Sequence, residues 1–124
     1  MNPTEQNQTI IQSPKELVAA LSEGERTEFA NIIESINLSS TVFERYMSWR
    51  SKCYTRNCIA ENEEFELILL CWEKGQKTPI HDHGGEECWV KVIQGGFKET
   101  IYQVDKDGEL KSVKSIISKT GDTS

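Results

Sequence analysis

The spacing of apolar residues changes near residue 50, from a helical pattern to one typical of strands. Before that point, a Ser or Thr precedes a Glu by three residues at three helix-start signals: Ser13, Ser22 and Thr41. These signals predict helices over Pro14 to Leu21, Glu23 to Ile36, and Val42 to about Arg50. The second helix has an apolar face at helical spacing, formed by Phe29, Ile32, Ile33 and Ile36.

After residue 50 the chain is predicted to form strands. Phe65 to Trp72 is a nearly continuous apolar run, which indicates a strand buried on both faces. Three more strands are predicted over Cys88 to Gln94, Phe97 to Val104 and Leu110 to Ile117. The turns that would join them are Gly95-Gly96, a hairpin signal, and Asp105 to Gly108. Closely spaced strands with glycine turns predict an antiparallel sandwich or small barrel, in a mainly β chain with N-terminal helices.

Length and charge narrow the classes of function. A chain of 124 residues is long enough for one domain. Its 20 acidic and 14 basic residues give a net charge of −6, which argues against nucleic-acid binding. No apolar run approaches the length of a membrane span, and the polar N-terminus does not resemble a secretory signal. We therefore expect a cytoplasmic protein that does not bind membranes.

The four cysteines are expected to be free thiols in a reducing compartment, since no secretory signal is recognised. Cys53 and Cys58 are separated by four residues, a spacing that does not match a thioredoxin-like pair. The other two are Cys71 and Cys88.

The only two histidines, His81 and His83, are separated by one residue. On a strand, residues two apart point to the same face, so both imidazoles could converge on one metal ion. Asp82 would then point to the opposite face. The alternative is that both histidines are ordinary surface residues.

The spacing around these histidines resembles the first signature of the cupin family. That signature has a Gly, five residues, His-x-His, then a Glu followed after six residues by a second Gly. Gly75 fits the first position. The Glu position is occupied by Cys88, because six residues then lead to Gly95, whereas Glu87 would place Gln94 at the second Gly.

A cysteine at that position resembles the cysteine dioxygenases, which are cupins. Four further stretches are similar to that family: Tyr54 to Asn57 (YTRN), Leu70 to Trp72, Ile80 to His83, and Phe97 to Thr100. The resemblance implies a cupin-type barrel, that is, a double-stranded β-helix or jelly roll. The helical residues 1–50 would pack on the first part of this barrel, residues 51–124, within one structural domain.

The resemblance also implies a chemistry. His81 and His83 would bind Fe(II), L-cysteine would chelate it through sulfur and amine, and O2 would oxidise the sulfur to cysteine sulfinate. Arg56 would bind the substrate carboxylate, for which its planar guanidinium is suited. Tyr54 would position polar groups in the pocket, and Cys88 would form a thioether with a Tyr on a later strand. We expect a monomer.

The chain departs from the family at two positions. The family's third metal-binding His has no counterpart here, because both histidines are already assigned. The family's cross-linking Tyr has no counterpart either. We therefore expect an incomplete barrel, a piece of a longer enzyme, weak iron binding and little turnover. A carboxylate from Glu86 or Glu87 could instead complete a site of two His and one carboxylate.

Three alternatives remain open. The chain could oxidise another small thiol such as 3-mercaptopropionate. It could be a non-catalytic cupin module that binds a metal or a small ligand. It could also be a structural zinc protein using His81, His83 and two cysteines, although this spacing does not match familiar zinc frameworks.

Overall fold

The computed structural model describes residues 10–82 and 85–124. The helical elements are α1 (Pro14–Glu23), a 3₁₀ helix (Arg26–Glu28), α2 (Phe29–Ser35) and a second 3₁₀ helix (Ser40–Tyr46). The strands are β1 (Thr55–Glu61), β2 (Glu66–Cys71), β3 (Gly96–Val104) and β4 (Leu110–Lys119).

The first helix begins where its sequence signal predicts. The Ser13 hydroxyl accepts a hydrogen bond from the Glu16 backbone N–H at 3.1 Å, which satisfies one of the free donors of the first turn. Pro14 occupies the first turn, where its missing N–H is not needed. The helix continues two residues beyond the predicted Leu21 and ends at Gly24.

The prediction of one helix from Glu23 to Ile36 is wrong. Gly24 is extended (φ −80°, ψ 160°), and a capping box between Glu25 and Glu28 starts a 3₁₀ turn before α2 begins at Phe29. A Cβ at Gly24 would lie 3.1 Å from the Cδ1 of Ile32. The missing side chain therefore lets α2 pack closely against the end of α1.

The third predicted helix is also corrected. Instead of an α-helix from Val42 to Arg50, the chain forms a 3₁₀ helix that ends at Tyr46. Its cap is Ser39, whose hydroxyl accepts from the Thr41 N–H at 3.3 Å. The cap lies two residues earlier than predicted, since Ser and Thr are both good caps and the sequence does not distinguish them.

The core forms around α1 and α2. Its buried residues are Leu17, Leu21, Phe29, Ile33 and Ile36. The Phe29 ring makes edge-to-face contacts with Phe65 and with Trp89, each with centroids 5.7 Å apart. These contacts join the helices to the β1–β2 hairpin and to the segment after the histidines. The predicted apolar face of the second helix is confirmed for Phe29, Ile33 and Ile36.

Two antiparallel hairpins form the sheets of the described ranges. Strand β1 pairs with β2 from Thr55–Cys71 to Glu61–Glu66, with an irregularity between Cys58 and Ala60. The sequence pattern did not predict β1. The run from Phe65 to Trp72 is a strand, but only Cys71 of β2 is buried, because strand side chains project from the two faces of a sheet and this two-stranded hairpin is not covered on both faces within the described ranges.

Strands β3 and β4 agree with prediction, and the predicted turn from Asp105 to Gly108 joins them. The predicted strand from Cys88 to Gln94 is wrong, and so is the hairpin at Gly95-Gly96. Residues 88–94 contain one isolated bridge, between Lys91 and Thr123, flanked by backbone hydrogen bonds between Val90 and Ser124. This short pairing joins segments that are far apart in sequence, so local pattern does not reveal it.

The prediction of a mainly β chain with N-terminal helices is confirmed in the form of small sheets with a few helices, whereas a closed barrel is not formed by the residues that the structure describes. The division of the chain near residue 50 stays a prediction. In the same ranges, no helix has the length and apolar character needed to cross a membrane.

The first testable prediction concerns the core. Phe29 is 3% exposed, and its replacement by Ala removes the ring that contacts Phe65 and Trp89. We expect the free energy of unfolding in urea to fall by about 3–5 kcal/mol. The control is Ile10→Ala at a position that is 76% exposed, where the change should stay within about 0.5 kcal/mol. Equal effects of the two substitutions would contradict this account of the core.

The β3–β4 turn depends on one carboxylate. Asp105 accepts hydrogen bonds from the N–H groups of Glu109 (3.0 Å) and Asp107 (2.8 Å) and pairs with Lys111 at 3.2 Å. The Glu109 hydrogen bond has the largest effect on the pKa of Asp105 and, with the weaker contributions of Asp107 and Lys111, holds it below its usual 3.8 despite the opposing effect of desolvation. The ionised form therefore stabilises the turn.

The second prediction follows from that pKa. Because the folded pKa lies below the unfolded one, the stabilisation is complete above about pH 4 and is lost as pH falls through the folded value. In Asp105→Asn, the urea midpoint should depend less on pH in this range than in the unsubstituted chain. Asp107→Asn removes a charge from the same turn but leaves the Asp105 carboxylate in place. The urea midpoint of this variant should therefore depend on pH as strongly as that of the unsubstituted chain. Identical pH profiles for all three would contradict this role.

Candidate functional site

Tyr54 and Arg56 line one cleft at the start of β1. The cleft has a volume of about 480 Å³, and its lining residues are Ser48, Arg50, Cys53, Tyr54, Thr55 and Arg56. Side chains alternate along an extended segment, so Tyr54 and Arg56 share a parity that Thr55 does not. The structure thus brings together the two residues that the sequence assigns to substrate binding.

The Tyr54 ring is held by aromatic stacking. It lies parallel to the Trp72 ring, with centroids 4.9 Å apart and an interplanar angle of 18°. The Trp72 ring in turn contacts the Phe97 ring edge to face, with centroids 4.9 Å apart, so three aromatic rings in contact extend from Tyr54 to β3. Such contacts contribute about 0.5–1.5 kcal/mol each beyond the buried area. Trp72 therefore packs between Tyr54 and Phe97, and its packing orients Tyr54.

Thr55 and Asn57 support the same segment through hydrogen bonds, and the sequence pattern did not identify either of them. Thr55 is 8% exposed, and its hydroxyl donates to the Ser48 carbonyl at 2.6 Å. The Asn57 side chain contacts Ser48, Thr55 and β2. The signal that could have revealed them is polar residues alternating with the proposed binding residues at the start of a strand.

Gln76 connects the cleft to the segment that leads to His81. Its side-chain Nε2 donates to the Arg50 carbonyl at 2.6 Å, and its Oε1 accepts from the Glu73 N–H at 2.8 Å. One side chain thus joins the backbone before Tyr54 to the turn after β2. This contact limits how far the histidine segment can move from the cleft.

His81 is exposed, and its Nδ1 lies 2.8 Å from the Pro79 carbonyl oxygen. A carbonyl only accepts hydrogen bonds, so Nδ1 is the donor in this contact. A backbone acceptor on Nδ1 is the arrangement found for imidazoles that bind a metal through Nε2, and ferrous iron accepts imidazole ligands. His83, the second predicted ligand, lies outside the described residues.

The remaining predicted groups are more dispersed. His81 and Asp82 lie outside any strand, so the strand geometry assumed for the two histidines is not observed on the described side of the pair. Cys88 is exposed and does not line the cleft. Within residues 10–82 and 85–124, no three His, Cys, Asp or Glu side chains are grouped to hold a metal ion.

Two charged residues of the predicted site, Glu87 and Arg56, differ in whether they form an ion pair. Glu87, an alternative carboxylate ligand, forms an ion pair with Arg26 at 3.1 Å, and both side chains are 60% exposed. Exposed pairs of this kind contribute little, about 0–1 kcal/mol. Arg56, by contrast, is exposed and forms no ion pair in the part of the chain that the structure describes. Its guanidinium is therefore available to an anionic ligand.

Comparison with known proteins adds a family. A family model described as cysteine dioxygenase type I matches residues 4–122. Cysteine dioxygenase type 1 from Danio rerio and from Homo sapiens are each 36% identical over 76 residues, which cover 60% of this chain and 38% of the relative. The Rattus norvegicus protein is 33% identical over the same length. The alignment thus spans little more than a third of these relatives.

The third prediction concerns thiol accessibility. Cys53, Cys58 and Cys88 are exposed, whereas Cys71 is buried. In the folded chain, a thiol reagent that releases a chromophore should react rapidly with three cysteines and with the fourth only after denaturant is added. Cys88→Ser should lower the rapid count by one, and the matched Cys71→Ser should not. Four rapid thiols in the unsubstituted chain would contradict the burial of Cys71.

Proposed function

The chain belongs to the cysteine dioxygenase type I family, and from that membership we propose that it serves the iron-dependent oxidation of L-cysteine by O2 to cysteine sulfinate. The observation that carries the proposal is the cleft that Tyr54 and Arg56 line together. These residues belong to the stretch that resembles the family, and the cleft has room for a small amino acid. The relatives are longer than the matched region, so the activity of the whole protein is part of the proposal.

Arg56 binds the substrate carboxylate. Its guanidinium offers two parallel N–H donors to a carboxylate, and an exposed arginine without an ion pair does not have to release another partner first. Tyr54, held against Trp72, presents its hydroxyl to the polar groups of the bound amino acid. Together they fix one end of the substrate, so that its thiol points in a defined direction.

His81 and His83 would hold the metal, His81 through Nε2 because its Nδ1 lies against the Pro79 carbonyl. Fe(II) held there would supply open positions for a thiolate and O2. The chain has no further histidine, and for this reason we expect weak iron binding and a low rate. Cys88 has an exposed thiol, which supports its proposed role as the partner of a thioether cross-link.

The proposal includes the cupin-type barrel that family membership implies, with residues 51–124 contributing its first part. It also includes a monomeric protein in the cytoplasm. A second candidate, a non-catalytic module, is favoured by the lack of a three-ligand group within the described ranges. The experiment below separates it from the enzyme.

The fourth prediction tests the reaction. With excess Fe(II), the chain should consume O2 in the presence of L-cysteine and form cysteine sulfinate, identified by mass spectrometry. His81→Ala should reduce the rate to background, because the ring that binds the metal is gone. Arg56→Gln should raise the KM for L-cysteine by about tenfold or more, since a charge-assisted hydrogen bond contributes about 1.5–3 kcal/mol. Arg26→Gln, outside the cleft, is the matched control and should leave the KM unchanged.

Three other outcomes would change the assignment of function. A rate that His81→Ala does not lower would overturn the enzymatic proposal. Binding of cysteine that persists without sulfinate formation, both before and after His81→Ala, would support the non-catalytic module. Faster O2 consumption with 3-mercaptopropionate than with L-cysteine would assign the other small thiol as substrate.

A further inference from the structure

The Asn57 side chain joins three parts of the chain. Its Oδ1 accepts a hydrogen bond from the Ser48 hydroxyl at 2.6 Å, and its Nδ2 donates to the Leu69 carbonyl at 3.1 Å and to the Thr55 hydroxyl at 3.0 Å. The Leu69 carbonyl can only accept, so the amide nitrogen must face β2 and the amide oxygen must face Ser48. Both ends of the amide are therefore used.

Thr55 is the second member of this arrangement. Its hydroxyl donates its single proton to the Ser48 carbonyl at 2.6 Å and accepts from Asn57. Ser48 is thus bound through its carbonyl by one residue and through its hydroxyl by the other. We call Ser48, Thr55 and Asn57 the amide clamp.

The clamp holds the backbone from which the alternate side chains project. Thr55 and Asn57 are bonded to Ser48, and Tyr54 and Arg56 alternate with them along the same extended segment, so fixing Thr55 and Asn57 fixes the backbone that carries Tyr54 and Arg56 at the cleft, which Ser48 and Thr55 also line. Tyr54 has the Trp72 ring to hold it. Arg56 is exposed and forms no ion pair in the described ranges, so its direction depends on its backbone. The residues on either side of Arg56, Thr55 and Asn57, are the ones that hold that backbone.

We infer that Asn57 is a positioning residue for carboxylate recognition: through the amide clamp it keeps the Arg56 guanidinium and the Tyr54 ring facing one cleft. The inference rests on the proposed function for the identity of the ligand. It adds a residue that does not itself touch the substrate.

The chemistry of the amide explains why this residue is needed. An amide donates and accepts at once, as the Leu69 carbonyl and the Ser48 hydroxyl require. An apolar side chain would take the donor from the partly buried Leu69 carbonyl and the acceptor from the exposed Ser48 hydroxyl, so the start of the strand would lose both attachments. A carboxylate could not donate to Leu69 and would place a negative charge beside Arg56. For that reason, Asn57→Ala is a cleaner test than Asn57→Asp.

The experiment measures recognition of the carboxylate alone. Two ligands, L-cysteine and cysteamine, share the thiol and the amine but differ in the carboxylate. The chain is titrated with each by ¹⁵N NMR, without metal, under anaerobic and reducing conditions. The signals followed are the amides of Tyr54 and Arg56 and the Arg56 side-chain Nε–H. The unsubstituted chain should bind L-cysteine about tenfold or more tightly than cysteamine.

In Asn57→Ala this preference should fall towards one, with cysteamine binding unchanged. A general loosening of the fold would weaken the binding of both ligands together and leave the ratio of their affinities unchanged. A change in this ratio therefore reports on the positioning of Arg56. Cys58→Ala is the matched control, the next residue on β1 with an exposed side chain, and it should keep the preference.

A second pair of variants makes the test independent of how well Asn57→Ala folds. Thr55→Ser keeps the clamp hydroxyl and should retain the preference, whereas the isosteric Thr55→Val removes the hydroxyl and should lose it. If Asn57→Ala and Thr55→Val both keep the unsubstituted ratio, Asn57 does not position Arg56. If the unsubstituted chain shows no preference for L-cysteine over cysteamine, the cleft does not recognise the carboxylate and the inference is overturned.

Failure here and failure of the proposed function are distinguishable. The titration uses neither iron nor O2, so it reports only on the cleft. Sulfinate formation with an intact ratio in Asn57→Ala would retain the enzyme and reject the positioning role. A lost ratio without sulfinate formation would retain the positioning role and reject the oxidation.

Discussion

The structure depends on the packing of one aromatic ring. Phe29, at the start of α2, contacts Phe65 at the β1–β2 turn and Trp89 in the segment after the histidines, both edge to face. Three parts of the chain that are distant in sequence therefore share one apolar centre. Together with the Arg26–Glu87 ion pair and the hydrogen bond from Lys91 Nζ to the Glu34 carbonyl, this ring holds the helices to the hairpin and to the segment after the histidines. The short length of each helix makes this tertiary contact more important, because isolated helices of this size are marginal in water.

A second, polar constraint acts where the apolar core ends. The stretch from Tyr54 to Asn57 alternates between residues proposed to bind the ligand and residues that anchor the segment. Thr55 and Asn57 attach it to Ser48 and β2, and Tyr54, Thr55 and Arg56 line the cleft. This alternation follows from strand geometry. Gln76 extends the same arrangement towards His81.

Local signals predicted what local interactions determine. The Ser13 cap, strands β3 and β4 and the turn at Asp105 are formed by residues near one another in the chain, and all were predicted. The break at Gly24 was missed, because the close approach of Ile32 is a tertiary contact. The supposed strand from Cys88 to Gln94 pairs only briefly, and with residues about thirty positions away. The motif around Tyr54 predicted two residues that line one cleft, but not the hydrogen bonds that attach their segment, because partners such as Ser48 and Leu69 cannot be recognised from spacing.

The central claim is that this cleft and His81 serve the addition of O2 to the sulfur of cysteine. The most direct test is to run the reaction under ¹⁸O2 with excess Fe(II) and to measure the mass of the sulfinate. The account predicts that both sulfinate oxygens carry the label and that His81→Ala yields no labelled product. Product with oxygen from water, or labelled product formed equally by His81→Ala, would contradict it.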